Sequence, residues 1–221
     1  MIVSPVSFHD DNTFFERLQT LEFISLIGIS GAAIRLGIPL MCNGANLAYS
    51  KSAFEQVGGF GAAAHIASGD DVLLMLKIKK QIKNGVKFLK SKDAIAFTYP
   101  QRNLRDFIHQ RKRWSSKSSN YKDGWVLGIA TFTWLFNFSI VFALVFGLFS
   151  HTHIYLWLSL MLFLLKSFAD ALFLIPVTSF FGRQKLMLLF IPEQLLYIIY
   201  VVVIGMIGNI GKYRWKGRVV R

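Results

Sequence analysis

Ser68-Gly69-Asp70-Asp71 sets two carboxylates side by side at the start of an apolar-periodic stretch, residues 70–83. A positioned carboxylate can take a proton from a reacting hydroxyl. The same four residues also fit S-x-x-D, a capping-box-like helix start, where acids are favourable in any case. Spacing alone favours the cap, and the two roles are compatible, because a capped acid is also a positioned one. A second group is Gln110, Arg113 and Trp114, three and four residues apart and so on one surface of a helix. Arg113 can bind phosphate with two parallel hydrogen bonds, Gln110 can hydrogen-bond, and Trp114 can stack on a sugar or other ligand. Phe107, seven residues before Trp114, shares its apolar side. The competing reading is a basic juxtamembrane helix lying on anionic lipid with its Trp at the interface. Arg111, Lys112 and Lys117 are expected as surface charge in either case.

The elements that must hold these residues divide near Trp125. Residues 1–125 carry 17 Lys/Arg and 10 Asp/Glu, and residues 126–221 carry 8 and 2, with five of those 8 basic residues after Gly211. About 20 apolar residues cross a bilayer core. Three segments are long enough: 125–149 without a charge, 154–180 with Lys166 and Asp170 placed to pair four apart, and 186–210 with Glu193 beside Pro192. Basic clusters flank both the first segment (Arg111 to Lys122) and the last (Lys212 to Arg221). Both ends therefore ask for the cytoplasmic side. Three full crossings would put them on opposite sides, and the sequence leaves that conflict open. His151-Thr152-His153 reads as a polar interfacial turn rather than a metal site.

The polar half reads as α+β. Strands are expected at 1–8, 40–49 (with a glycine bend), 86–89 and 94–98, and helices at 13–35, 51–56, 70–83 and 103–120. The last of these is a basic amphipathic helix leading into the first apolar segment. The chain has no signal-peptide pattern at its start. The composition excludes other classes: 53% hydrophobic residues rule out a disordered basic tail, and the single cysteine, Cys42, rules out a disulfide scaffold. Cys42 is expected as a small buried side chain.

In order, Asn43-Gly44-Ala45-Asn46-Leu47-Ala48-Tyr49, Phe54 to Phe60, Ser68-Gly69-Asp70-Asp71 and Gln110-Arg111-Lys112-Arg113-Trp114 resemble the second half of a family 2 glycosyltransferase. The resemblance runs from about residue 1 to Trp114, with apolar segments directly after the QxxRW. It implies a partial α/β domain of the GT-A fold (residues 1–122, the acceptor-side half) followed by an all-α transmembrane region and a basic tail. The activity implied is inverting transfer of a sugar from a nucleotide-diphosphate sugar to an acceptor hydroxyl on a lipid-linked carrier or polysaccharide. By residue, the resemblance implies Asp71 as base with Asp70 supporting, and Gln110, Arg113 and Trp114 at the donor diphosphate. It places Gly44 and Asn46 on the acceptor side, where His65 could also face. Asn46 reads equally well as a strand-end hydrogen bond, and His65 as a surface-loop residue.

Such enzymes hold a divalent metal, Mg or Mn, through an upstream half containing DxD. No DxD stands in that context here, and Asp10-Asp11-Asn12 reads better as a turn or cap. The expectation is therefore a carboxy-terminal portion, inactive without a nucleotide-binding half, whose metal ligands lie outside this chain. The partners implied are a nucleotide sugar, the glycan or lipid-linked acceptor and membrane lipid, with the polar half on the cytoplasmic side of an inner or plasma membrane. The rival is a non-catalytic membrane subunit using the stretch 77–122, with 14 Lys/Arg against 2 Asp/Glu, to bind anionic lipid or a partner. A nucleic-acid binder would leave the acidic pair and the QxxRW without a role.

Overall fold

The structure, a computed structural model, describes residues 1–61, 69–115, 123–150, 152–207, 213–215 and 218–220. His65, His151 and most of the basic tail lie outside the described residues.

The opening extended segment is two strands, β1 (Ile2–Val3) and β2 (Val6–Phe8), divided at Pro5. Proline has no N–H to give to a ladder, so continuous pairing stops there. β1 pairs antiparallel with β3 (Leu47–Ala48) and parallel with β4 (Lys87–Phe88). β2 pairs parallel with β5 (Ala96–Thr98). The expected strand over 40–49 shrinks to β3, because residues 44–45 form a turn.

Helix α1 (Phe14–Arg35) starts at a capping box: Glu16 N donates to Thr13 Oγ1 (3.2 Å) and Thr13 N donates to Glu16 Oε2 (2.9 Å). It is the central element. Phe23 and Ile27 pack on Val6 and Phe8, with the Phe8 and Phe23 rings stacked at 4.2 Å. Leu21 and Ile24 face the apolar half, against Leu174 and Leu186. Asp10-Asp11-Asn12 leads into it, with Asp10 at a positive φ of 57° and Asp11 ion-paired with Arg183. Short helix α2 (Lys51–Gln56) and helix α3 (Asp70–Gln81) cover β1 through a core of Val3, Val57, Leu74, Met75 and Ile78. Helix α4 (Leu104–Ser115) lies against α1.

Helices α5 (Gly124–Phe149) and α6 (His153–Phe180) form an antiparallel hairpin, in which Ser159 Oγ donates to the Ile140 carbonyl (2.9 Å). A 3-10 stretch (Gln184–Leu189) leads into α7 (Phe190–Ile207). Three helical stretches, Gly124–Phe149, His153–Phe180 and Gln184–Ile207, are long and apolar enough to cross a membrane. The small sheet region is thus followed by a helical, apolar one. α7 does not simply continue the hairpin. Its Gln194 meets Lys166 of α6, and its Val202 carbonyl accepts from Trp134 Nε1 of α5 at 3.2 Å. α7 thus packs against both helices of the hairpin. Its close approach to α5 needs Gly205, where a Cβ would sit 2.1 Å from the Trp134 ring.

Candidate active site

Asp70 and Asp71 open α3 behind Gly69, which takes a left-handed φ of 100°. Glycine reaches that conformation without steric cost. Asp70 is exposed and Asp71 half-buried. Asp71 is tied on both oxygens: Oδ2 accepts the Gly44 N–H at 3.0 Å, and Oδ1 accepts the Val72 N–H at 2.8 Å. A Cβ at residue 44 would lie 3.2 Å from Oδ2, so the absence of a side chain keeps this approach open. The sequence-expected Gly44 and Asp71 thus meet, 27 residues apart in the chain. Each carboxylate oxygen keeps a second lone pair that could accept a proton from a ligand.

Asn46 is occupied differently. Its amide group donates to the carbonyls of Pro5 (2.8 Å) and Ala94 (2.6 Å), binding the two sheets where Pro5 divides them. Of its polar atoms, Oδ1 is the one these bonds leave over. Cys42 is half-buried beside the α3 core.

The QxxRW residues lie on α4, whose start is fixed by reciprocal bonds: Asp106 N donates to Asn103 Oδ1 (2.9 Å) and Asn103 Nδ2 to Asp106 Oδ2 (2.8 Å). Trp114 is half-buried against Phe23, ring centroids 6.3 Å apart. Gln110 is half-buried, with Oε1 enclosed and without a hydrogen-bond partner among the described residues. Because amide O and N are interchangeable in position, that atom can serve a donor or an acceptor on a ligand. Arg113 is also half-buried.

Arg111 corrects the expectation of surface charge. It is 1% exposed, ion-paired with Glu22 of α1, and its guanidinium lies 4.7 Å from the Phe107 ring, 4.2 Å from Trp114 and 5.9 Å from Tyr200 of α7. Burial pushes the Glu22 carboxyl above its ordinary range, and the Arg111 charge and hydrogen bond pull the other way. The signal was present in the chain: Phe107, Arg111 and Trp114 fall at i, i+4 and i+7, so the arginine lies between two aromatics on one helix face.

The acidic and QxxRW elements stand on the two halves of the split strand, α3 over β1 and α4 with α1 against β2. Phe88 of β4 packs into both cores, and its ring occupies the space left by Gly31 of α1. Helix α3 is also moored to the apolar half. Lys79 Nζ donates to Asp123 Oδ2 at 2.7 Å, and Asp123 caps α5 by accepting from Trp125 N (3.0 Å) and Val126 N (3.2 Å). Burial pushes the Asp123 carboxyl up, but the Lys79 hydrogen bond and charge and the two N–H donors outweigh it and hold it low. Among the described residues, no group of three or more His, Cys, Asp or Glu could hold a metal ion.

The fold is a small sheet region followed by apolar helices, with an acidic helix start over β1 and a basic-aromatic helix, packed on α1, near β2. The chain belongs to glycosyl transferase family group 2, whose family model matches residues 1–207. Comparison with curated proteins and with solved structures gives no match. It is therefore a glycosyltransferase-family protein with membrane-compatible helices.

Proposed function

We propose that this region carries out inverting transfer of a sugar from a nucleotide-diphosphate sugar to the hydroxyl of a lipid-linked or polysaccharide acceptor at a membrane surface. Asp71 takes the hydroxyl proton as the acceptor oxygen bonds to the anomeric carbon. The bond from that carbon to the diphosphate breaks, and the electron pair leaves with the phosphate oxygen. Arg113 and Gln110 meet the developing charge, which preorganised donors stabilise most where water is excluded. Trp114 offers its remaining ring surface to a sugar, and Asp70 supports the base. On the acceptor side the proposal keeps Gly44, the Oδ1 of Asn46 and His65. A divalent metal, when bound in the complete enzyme, would further neutralise the diphosphate. Because the described residues do not gather into a site for one, no step is assigned to it, and the nucleotide-binding half is taken to supply its ligands.

The observation that carries the reading is the Gly44–Asp71 link. It fixes a carboxylate of the DD pair against the Asn43–Tyr49 segment, which the family resemblance assigns to the acceptor side. The test is sugar transfer by membranes in which this region works with a nucleotide-binding half. Asp71→Asn is expected to lower turnover by at least about 10²-fold, and Asp70→Asn by less. Undiminished transfer by Asp71→Asn would remove the base assignment.

A further inference from the structure

A cavity of about 310 Å³ lies between α1, α4 and α7. Its volume falls at the lower end of the range for ligand pockets, and its wall is apolar, built from residues such as Leu18, Ile108, Val203 and Ile204. Three of the polar residues on its border, Glu22, Glu193 and Gln19, are already engaged. Glu22 holds Arg111, Glu193 Oε2 accepts from Gln194 Nε2 (3.2 Å), and Gln19 Nε2 donates to the Gln101 carbonyl (2.8 Å). A void of this kind offers water few partners and suits an apolar occupant.

The direction from which an occupant enters follows from α7. Leu196, Ile199 and Val203 line the cavity, yet they are 52%, 58% and 44% exposed. The cavity wall is thus continuous with the outer apolar surface of α7. That helix belongs to a stretch, Gln184–Ile207, long and apolar enough to cross a membrane. With the apolar helices in a bilayer, the exposed apolar face of α7 meets acyl chains, and the cavity is open to them. At the α4 start, Leu104 lines the cavity and is 61% exposed, and Arg102 and Arg105 flank it on the surface. The acids nearby are committed to caps: Glu16 to Thr13 and Asp106 to Asn103.

We propose that the α1–α4–α7 cavity binds one acyl chain of an anionic phospholipid from the surrounding bilayer, with the phosphate held at Arg102 and Arg105. The bound chain completes the packing between the helix that bears the QxxRW and the apolar half. The site needs no sugar transfer to be detected, so it stands or falls separately from the Asp71 assignment.

The test is native mass spectrometry of the full chain released from nanodiscs of equal phosphatidylglycerol and phosphatidylcholine. One retained phosphatidylglycerol is expected. Ile108→Trp and Val203→Trp, which fill the cavity, are each expected to lower its occupancy by about tenfold, or about 1.4 kcal/mol. Arg102→Ala with Arg105→Ala is expected to leave a lipid bound but remove the preference for the anionic headgroup. No retained lipid in the unaltered protein, or equal retention in both Trp variants, overturns the proposal. A second measurement avoids substitutions: phosphatidylglycerol carrying a photoreactive acyl chain should label peptides of α4 and α7, and labelling confined to α5 and α6 overturns it.

Discussion

At the scale of single residues, Arg111 and Glu22 matter most among the groups that sequence reasoning passed over. Removing one member of a buried pair leaves an uncompensated charge, which costs about 3–5 kcal/mol. Arg111→Met is therefore expected to lower unfolding stability in detergent by that order at pH 8. The pH dependence has a definite sign. Burial raises the Glu22 carboxyl above its ordinary value of 4.5, so its contribution is fully present below that value and lost as pH rises through the folded-state value. Without Arg111 the rise is larger, and the Arg111→Met penalty should shrink when the same melts are run at pH 5. Equal penalties at both pH values would mean that Glu22 is not the stranded charge. Asp71 shows the opposite lesson. Its type and neighbours were legible, but the cap that spacing favoured is not formed: the N-cap of α3 is Gly69, without a side-chain cap hydrogen bond, and the Asp71 carboxylate accepts from Gly44 and Val72 instead.

Among the elements, helices read well from the chain and strands less so. The 13–35 and 51–56 expectations match α1 and α2 closely, because periodic apolar positions and Thr13 and Ser50 caps are local signals. The first strand was expected whole, but Pro5 splits it, and only the pairing with β3, β4 and β5 shows why Asn46 spends its amide there. The coupling of α3 to α5 through Lys79 and Asp123 joins residues 44 apart, a distance no local pattern reports. Because the Asp123 carboxyl is held below its ordinary value of 3.8, its contribution is present above that value and lost as pH falls through the folded-state one. Asp123→Ala is expected to cost about 1 kcal/mol at neutral pH, the usual worth of a side-chain helix cap. Thermal melts across an acid series should show that difference from the parent vanish at the low end. A constant difference would assign the effect to something other than the ionised cap.

For the whole molecule, the apolar half sets how the protein is held. With Gly124–Phe149 and His153–Phe180 each long enough to cross a core about 30 Å thick, alkaline carbonate or high salt should leave the protein in the membrane pellet and detergent should release it. Release by salt alone would mean that the basic surface, not the hairpin, holds it. The amino-acid sequence by itself determined the division near Trp125, the three apolar segments, the helix starts and the family-bearing groups around Asp71 and Trp114. These depend on composition and on spacings within a few turns of chain. Only the tertiary structure decided that Arg111 is buried, that Gly44 meets Asp71, that Asn46 binds the two sheets, and that α7 packs against both helices of the hairpin. Each of those is fixed by contacts between residues tens of positions apart, where burial and pairing depend on which surfaces the fold brings together.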